Sequence, residues 1–142
     1  MGSENSSNKC VIIIDYLLPI GLIANTAAVL SLTLGKKIDG IIGADVYDSS
    51  NHKHTGITNI PIPILKGTKE GIRDMRMRIV KEEFFNLLVV DFSNAAQMTK
   101  NYEDYTEKLA QFSTEELQYL GIALYGEKKS INKLTGNIPL LK

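Results

Sequence analysis

Two aspartates in this sequence each follow a short, continuously apolar run. Asp15 ends the run KCVIIID, and Asp91 ends the run LLVVD. Continuous apolarity is typical of a strand that is covered on both faces. If the two strands are parallel neighbours, both carboxylates face one crevice at the carboxyl ends of the strands. Repulsion between the two close negative charges raises the pKa of one carboxyl group, so that one group can act as an acid and the other as a base. Asp15 and Asp91 are therefore candidate catalytic residues, although the commoner role of such an aspartate is to cap the next turn or helix.

Three further polar side chains lie close to these strands in the sequence. Asn25 is the first polar residue of the predicted first helix, and Ser93 and Asn94 follow Asp91 almost directly. Backbone N–H groups near a helix start can bind a carboxylate or a phosphate, although Asn94 with Gln97 is equally a simple capping pair. A serine nucleophile needs a base within hydrogen-bond reach, and no spacing brings a histidine to Ser93. We therefore predict ligand contacts, rather than serine catalysis, from Asn25, Ser93 and Asn94.

The only histidines, His52 and His54, stand two positions apart in a predicted hairpin arm. Side chains at this spacing project from the same face of a strand, as metal-binding pairs do, and Asp45 or Asp48 across the hairpin is a possible further ligand. No third ligand is fixed by spacing, so we predict no metal. His54 remains a candidate ligand contact, and the simpler interpretation is a pair of exposed hairpin residues.

Charged residues are unevenly distributed along the chain. Residues 66–81 hold six basic side chains against two acids, and Lys69, Arg73 and Arg76 lie along one helical face. Residues 101–116 hold five acids against one lysine. The two segments can bind each other in a homo-oligomer, or the basic face can grip phosphates, whereas solvated helix faces are the commoner explanation.

Composition excludes several classes of protein. The chain has 142 residues, 16 basic against 16 acidic side chains, and 44% hydrophobic residues, which is typical of a globular protein. The charge balance argues against a nonspecific nucleic-acid binder. The single cysteine, Cys10, excludes an internal disulfide framework and fits a reducing, cytoplasmic location. The uncharged stretch from residue 16 to residue 35 predicts a buried helix rather than a membrane span, because proline, glycine and polar residues interrupt it.

Strands and helices alternate along the chain. In the first half of the chain we predict a strand over 9–15, a helix over 20–34 that stops at Gly35, and hairpin arms over 45–48 and 52–55. An extended segment over 60–65 follows, at a sheet edge or outside the sheet, because its two prolines cannot donate ladder hydrogen bonds. The second half is predicted to hold a helix from Thr68 to about 83, a strand over 87–91, helix starts at Asn101 and Ser113, a strand over 120–125 and a helix over 127–134. This order predicts a disordered leader over 1–8 and a single α/β domain over 9–142, with a mixed sheet.

Several stretches together resemble the bacterial "domain of unknown function 2000" family. They include KCVIIID, LPIGLIANTAAVLSLTLG, HTGITNIPIPIL and LLVVDFSNAAQ, and above all the closing LYGEKKSINKLTGNIPLL. The resemblance implies a three-layer α/β/α fold similar to the type II peptidyl-tRNA hydrolases, with helices on both sides of a mixed sheet. It also marks Lys128, Lys129 and Asn132 as candidate ligand contacts. The family has no established activity.

Peptidyl-tRNA hydrolase activity itself is poorly supported. Those enzymes carry a glycine- and lysine-rich loop between the first strand and the first helix, and its lysine is implicated in catalysis. The corresponding stretch here, residues 16–22, contains no lysine, and the chain lacks the positive charge that a polyanionic substrate favours.

The leading prediction is therefore an uncharacterised cytoplasmic α/β protein that binds a small molecule at the carboxyl ends of its central strands, without a cofactor. The first alternative is a hydrolase acting on an ester or amide through the two aspartates. The second is a non-catalytic homo-oligomeric interaction protein that packs through its uncharged first helix and the IPIPIL segment.

Overall fold

A computed structural model describes residues 7–142 of the chain. Its main sheet has four strands in the order β4-β1-β6-β5. The strands are β1 (Asn8–Asp15), β4 (Ile64–Gly67), β5 (Leu88–Ser93) and β6 (Tyr119–Glu127), while β2 (Val46–Tyr47) and β3 (Lys53–His54) form a separate hairpin. β1 pairs with β4 in parallel, and β6 runs antiparallel to both β1 and β5. The sheet is therefore mixed, as the alternating pattern predicts.

In the part of the chain that the structure describes, five helices lie between or after these strands. They are α1 (Ile20–Lys37), α2 (Lys69–Lys81), α3 (Asn94–Gln97), α4 (Tyr102–Leu109) and α5 (Lys128–Thr135). The alternation of side chains along β1 explains how they are distributed. Ile12 and Ile14 join a buried cluster with Leu30 and Leu34 of α1, whereas Val11 and Ile13 join another that contains side chains of α2 and α5. Helices therefore cover β1 on both faces, which accounts for its continuous apolarity.

Two predicted element ends are wrong, because tertiary packing extends the elements. α1 continues past Gly35 to Lys37, and Leu34 packs into the core near its end. β5 continues past Asp91 to Ser93, because residues 91–93 still pair with β6. Asp91 consequently lies within its strand rather than at the end of it.

Local hydrogen-bond patterns were predicted more successfully. Thr68 caps α2 by accepting a hydrogen bond from the Gly71 N–H at 3.0 Å, and Asn101 caps α4 by accepting one from the Asp104 N–H at 2.8 Å. Ser113 and Glu116 exchange the reciprocal bonds of a capping box, but only a turn follows them. Such pairs reliably fix the backbone at a first turn, while packing decides whether a helix continues.

The remaining predictions concern the chain ends and the exposed faces. Asn8 belongs to β1 rather than to a leader, and residues 1–6 of the predicted leader lie outside the described residues. The buried stripe of α2 consists of Ile72, Met75 and Ile79, and Val80 beside it is 60% exposed. Within residues 7–142, no helix has both the length and the apolarity that a membrane crossing requires.

Candidate functional site

The structure does not bring the two candidate aspartates together. β6 lies between β1 and β5, so the condition for a shared crevice, neighbouring parallel strands, is not met. Asp91 is paired with Ile122, which is paired with Ile13, two residues before Asp15. Two strand spacings across the sheet and two residues along it separate the aspartates by roughly 12 Å. At this separation the carboxylates cannot share a proton.

Asp15 has a structural role at the end of β1. Its side chain is 2% exposed, and its Oδ1 accepts a hydrogen bond from the Leu17 N–H at 3.0 Å. Its carbonyl accepts another from the Leu18 N–H. These bonds form the tight turn that leads into α1, which is the capping role considered for this residue.

Asp91 lies on the edge strand β5 and contacts a cation. Arg76 of α2 approaches its Oδ2 with Nε at 3.5 Å, and both side chains are partly buried. The sequence placed Arg76 on a basic helix face for binding phosphates or an acidic partner, whereas the structure turns it toward an aspartate of the same chain. The pair leaves Asp91 partly accessible at the rim of a cleft.

We call this cleft the Asp91 cleft. It lies between α1, β5 and the segment that leads into α4, and has a volume of about 470 Å³. Its lining residues are Val29, Thr33, Val90, Asp91, Phe92, Ala96, Thr99, Lys100, Asn101, Tyr102 and Tyr105. Apolar side chains of the sheet and of α1 form one part of the lining, and hydroxyl, amide and charged groups form the rest. A cleft of this size and mixed lining suits a small organic molecule.

Two tyrosines near Asp91 are held in their neutral form. Burial, and then the negative charge of Asp91, raise the pKa of Tyr105. The same two causes raise the pKa of Tyr119, which is almost fully buried. Both hydroxyls therefore keep their protons and can donate hydrogen bonds. The Tyr102 ring meets Tyr105 edge to face, with centroids 5.5 Å apart, and adds an aromatic surface to the cleft.

These raised pKa values predict a loss of stability in alkaline solution. An unfolded tyrosine loses its proton near pH 10, whereas Tyr105 and Tyr119 in the folded state hold theirs to higher pH. Above about pH 10 the folded state therefore binds more protons than the unfolded state, and the free energy of unfolding falls as the pH rises. Urea unfolding followed from about pH 8 to pH 11 measures this slope.

The Tyr119→Phe variant should show a shallower alkaline slope than the wild type. Tyr47→Phe, which removes an exposed tyrosine of the hairpin, is the control and should retain the wild-type slope. Equal slopes in the wild type and Tyr119→Phe would contradict a contribution from the buried hydroxyl.

The other polar candidates beside β5 lie outside the lining of this cleft. Ser93 is buried, and its Oγ has no hydrogen-bond partner within the part of the chain that the structure describes. The Asn94 side-chain oxygen accepts a hydrogen bond from the Gln118 backbone N–H at 3.1 Å, and the backbone N–H of Asn94 donates one to the Gln118 carbonyl. Asn94 thus joins β5 to the start of β6. Asn25 is exposed on α1.

The histidine pair lies on the small hairpin. His54 Nε2 is 2.7 Å from Asp48 Oδ2, and this bond is the main cause that lowers the pKa of Asp48. Both groups are exposed, and among residues 7–142 no three histidine, cysteine or acidic side chains cluster as metal ligands would. His54 also lines a depression of about 770 Å³ along the hairpin.

The candidates named from the family resemblance lie elsewhere. Lys128 and Asn132 line a second cleft beside the first residues of β1, while Lys129 is exposed nearby and does not line it. The nine candidate residues are therefore dispersed over the fold. Sequence reasoning did not assign Tyr102 and Tyr105 to a site, although their helical spacing and aromatic character were visible.

The family model described as "Protein of unknown function (DUF2000)" matches residues 8–142. The chain belongs to this family. A solved structure of a protein of unknown function from Agrobacterium tumefaciens strain C58 resembles this DUF2000 chain with a TM-score of 0.84 and 19% sequence identity, covering 94% of this chain and 97% of that chain. At this identity the likeness shows the fold alone. Among curated proteins, none matches this DUF2000 chain in sequence.

Proposed function

We propose that this DUF2000 protein binds a small organic molecule in the Asp91 cleft. The observation that carries the proposal is the convergence, in one cleft of about 470 Å³, of an apolar wall, an aromatic pair and a partly buried carboxylate. Ligand sites typically combine a largely apolar surface with a few polar groups that fix orientation. The cleft thus replaces the crevice between Asp15 and Asp91 that the sequence suggested.

The lining favours a particular kind of ligand. Val90, Phe92 and Val29 offer an apolar surface, and the Tyr102 and Tyr105 rings can stack against a flat body. Asp91 accepts hydrogen bonds and is already balanced by Arg76, so it suits a hydroxyl or amine donor without demanding a full positive charge. We propose a compact aromatic or cyclic molecule with one or two hydrogen-bonding groups.

Blocking the cleft provides the test. A metabolite panel enriched in aromatic alcohols and amines is screened by thermal shift, since a ligand that binds the folded state raises the unfolding temperature by mass action. Each hit is measured again on Thr33→Phe, which introduces a ring from α1 into the cleft. We expect Thr33→Phe to weaken binding by at least about tenfold, the factor that corresponds to about 1.4 kcal/mol.

Leu32→Phe is the matched control, because Leu32 precedes Thr33 on α1 and its side chain is 79% exposed. This variant should bind each hit as the wild type does. A panel without any hit, or hits that bind Thr33→Phe unchanged, would exclude the Asp91 cleft as the binding site.

We further propose that the fold is of the type II peptidyl-tRNA hydrolase kind without that activity. The mixed sheet with helices on both faces supports the likeness in architecture. The turn between β1 and α1, residues 16–19, carries no lysine and is shaped by Asp15, which supports the absence of activity. The separation of Asp15 from Asp91 removes the geometric basis of a paired-carboxylate hydrolase.

A further inference from the structure

A second cleft lies toward the opposite edge of the sheet, beside the amino end of β1. It has a volume of about 460 Å³ and is lined by Asn8, Lys9, Cys10, Ile60, Pro61, Pro63, Lys128 and Asn132. We call it the lysine cleft. It shares no residue with the Asp91 cleft, which lies along the opposite edge strand, so the two are independent sites.

Two prolines explain why this cleft exists. β4 begins only at Ile64, which is paired with Ile12, so residues 8–11 have β6 on one side and the segment 60–63 on the other. Pro61 and Pro63 have no N–H and cannot extend the ladder toward the start of β1. On the side of β1 that faces this segment, the last backbone hydrogen bond runs from the Ile12 N–H to the Pro63 carbonyl. Because N–H groups alternate along a strand, the Cys10 N–H points to the same side of β1.

The charges that line this cleft have one sign. Lys9 and Lys128 contribute two ammonium groups, and none of the lining residues is acidic. Lys9 Nζ donates a hydrogen bond to Asn132 Oδ1 at 2.7 Å, which holds the Lys9 side chain against α5. Lys128 is the first residue of α5 and makes no ion pair with any described residue. An anion placed here meets one cation oriented by Asn132 and a second one to which the described part of the chain supplies no acidic partner.

Apart from the amide of Asn8, the rest of the lining is apolar and unreactive. The Cys10 side chain is 1% exposed, and burial raises the pKa of its thiol to about 11, so the thiol stays neutral and adds no competing negative charge. Ile60, Pro61 and Pro63 offer a rigid hydrocarbon surface beside it. The cleft thus combines a cationic end with an apolar wall.

We propose that the lysine cleft binds a small organic anion, with a carboxylate or phosphate held by Lys9 and Lys128 and a compact apolar body against Ile60 and the two prolines. The site differs from the Asp91 cleft in ligand class, because its two lysines favour a negatively charged group whereas Asp91 favours a hydrogen-bond donor.

Nuclear magnetic resonance on the isotope-labelled full chain tests this proposal. Phenyl phosphate and benzoate serve as probes for the two anionic groups, benzyl alcohol tests the need for charge, and inorganic phosphate tests the need for an apolar body. We expect one or both organic anions to shift the amide resonances of residues 8–10 and 128–132. Benzyl alcohol and inorganic phosphate should bind at least about fivefold more weakly, because each lacks one of the two contacts.

Lys128→Gln and Lys129→Gln form the matched pair of variants. Both remove one positive charge from the first turn of α5, but only Lys128 lines the cleft. We expect Lys128→Gln to weaken binding of the organic anion about fivefold to tenfold, and Lys129→Gln to change it by less than about twofold. Thr33→Phe, which blocks the Asp91 cleft, should bind the anion as the wild type does, so the two sites are tested separately.

Three results would overturn the proposal. They are the absence of localised shifts with either organic anion at tens of millimolar, equal weakening by the two lysine variants, and binding of inorganic phosphate as tight as that of phenyl phosphate. The second would indicate general attraction to a basic surface, and the third a cleft without a role for its apolar wall.

Discussion

Replacing Tyr119 by alanine is expected to lower the free energy of unfolding by about 3–5 kcal/mol. Tyr119 is 1% exposed, begins the central strand β6 and belongs to the cluster formed with α2 and α5. Removing its ring leaves a cavity that the surrounding strands and helices can fill only in part, so transfer and cavity costs add. Urea denaturation with linear extrapolation measures the change.

The Tyr119→Phe variant keeps the ring and removes the hydroxyl, so it measures the contribution of the hydroxyl to stability by itself. The Tyr119 hydroxyl donates to the Thr114 carbonyl at 3.5 Å, which is long for a hydrogen bond, so its loss should cost less than about 1 kcal/mol. A large loss of stability in Tyr119→Phe would show that the hydroxyl, through its place beside Asp91, contributes more than the ring does.

Replacing Gly121 by valine is expected to lower the free energy of unfolding by about 3 kcal/mol. A Cβ at this position would lie 2.7 Å from Thr26 Cγ2, 3.1 Å from Leu30 Cδ1 and 3.2 Å from the Ile13 carbonyl oxygen. Thr26 and Leu30 belong to α1, which packs against the sheet at this point, so a larger side chain must push the helix away from β6. Thermal unfolding together with urea denaturation measures the effect.

Gly21→Val is the matched control, because a Cβ at Gly21 would meet no atom within 4 Å. Its free energy of unfolding should stay within about 0.5 kcal/mol of the wild type. If Gly121→Val is equally mild, α1 does not pack against β6 as closely as the structure indicates.

The architecture followed from local patterns to a large degree. The unbroken apolar run at 11–14 predicted a strand covered on both faces, which is confirmed. Pro61 with Pro63 predicted a segment at the sheet edge or outside the sheet, and residues 60–63 precede the edge strand β4, which begins at Ile64. Capping residues such as Thr68 predicted the start of α2 for a local reason, since the side-chain oxygen bonds a backbone N–H three residues away. Such interactions depend on neighbours in the sequence and are therefore visible in it.

The candidate binding sites could not be predicted from local sequence patterns in this way. Asp15 and Asp91 share the pattern of an aspartate after an apolar run, yet one forms a turn and the other is paired with Arg76 at a cleft. The pattern does not distinguish them, because sheet order decides which strands are neighbours, and the strand that separates them, β6, comes last in the chain. Lys9 and Asn132 are 123 positions apart in the sequence, and their side chains are hydrogen-bonded only because the tertiary fold brings the start of β1 next to α5.

The sequence by itself determined the kinds of element, the covered strand, the edge segment, the caps and the family to which the chain belongs. Only the tertiary structure decided that Asp91 lies at one cleft and Lys128 at another, whereas Asp15, His54 and Lys129 line neither of them. The physical reason is the distance along the sequence over which the interactions act. Strand and helix signals arise from contacts within a few residues, whereas a binding site arises from long-range pairing that positions distant side chains against one another.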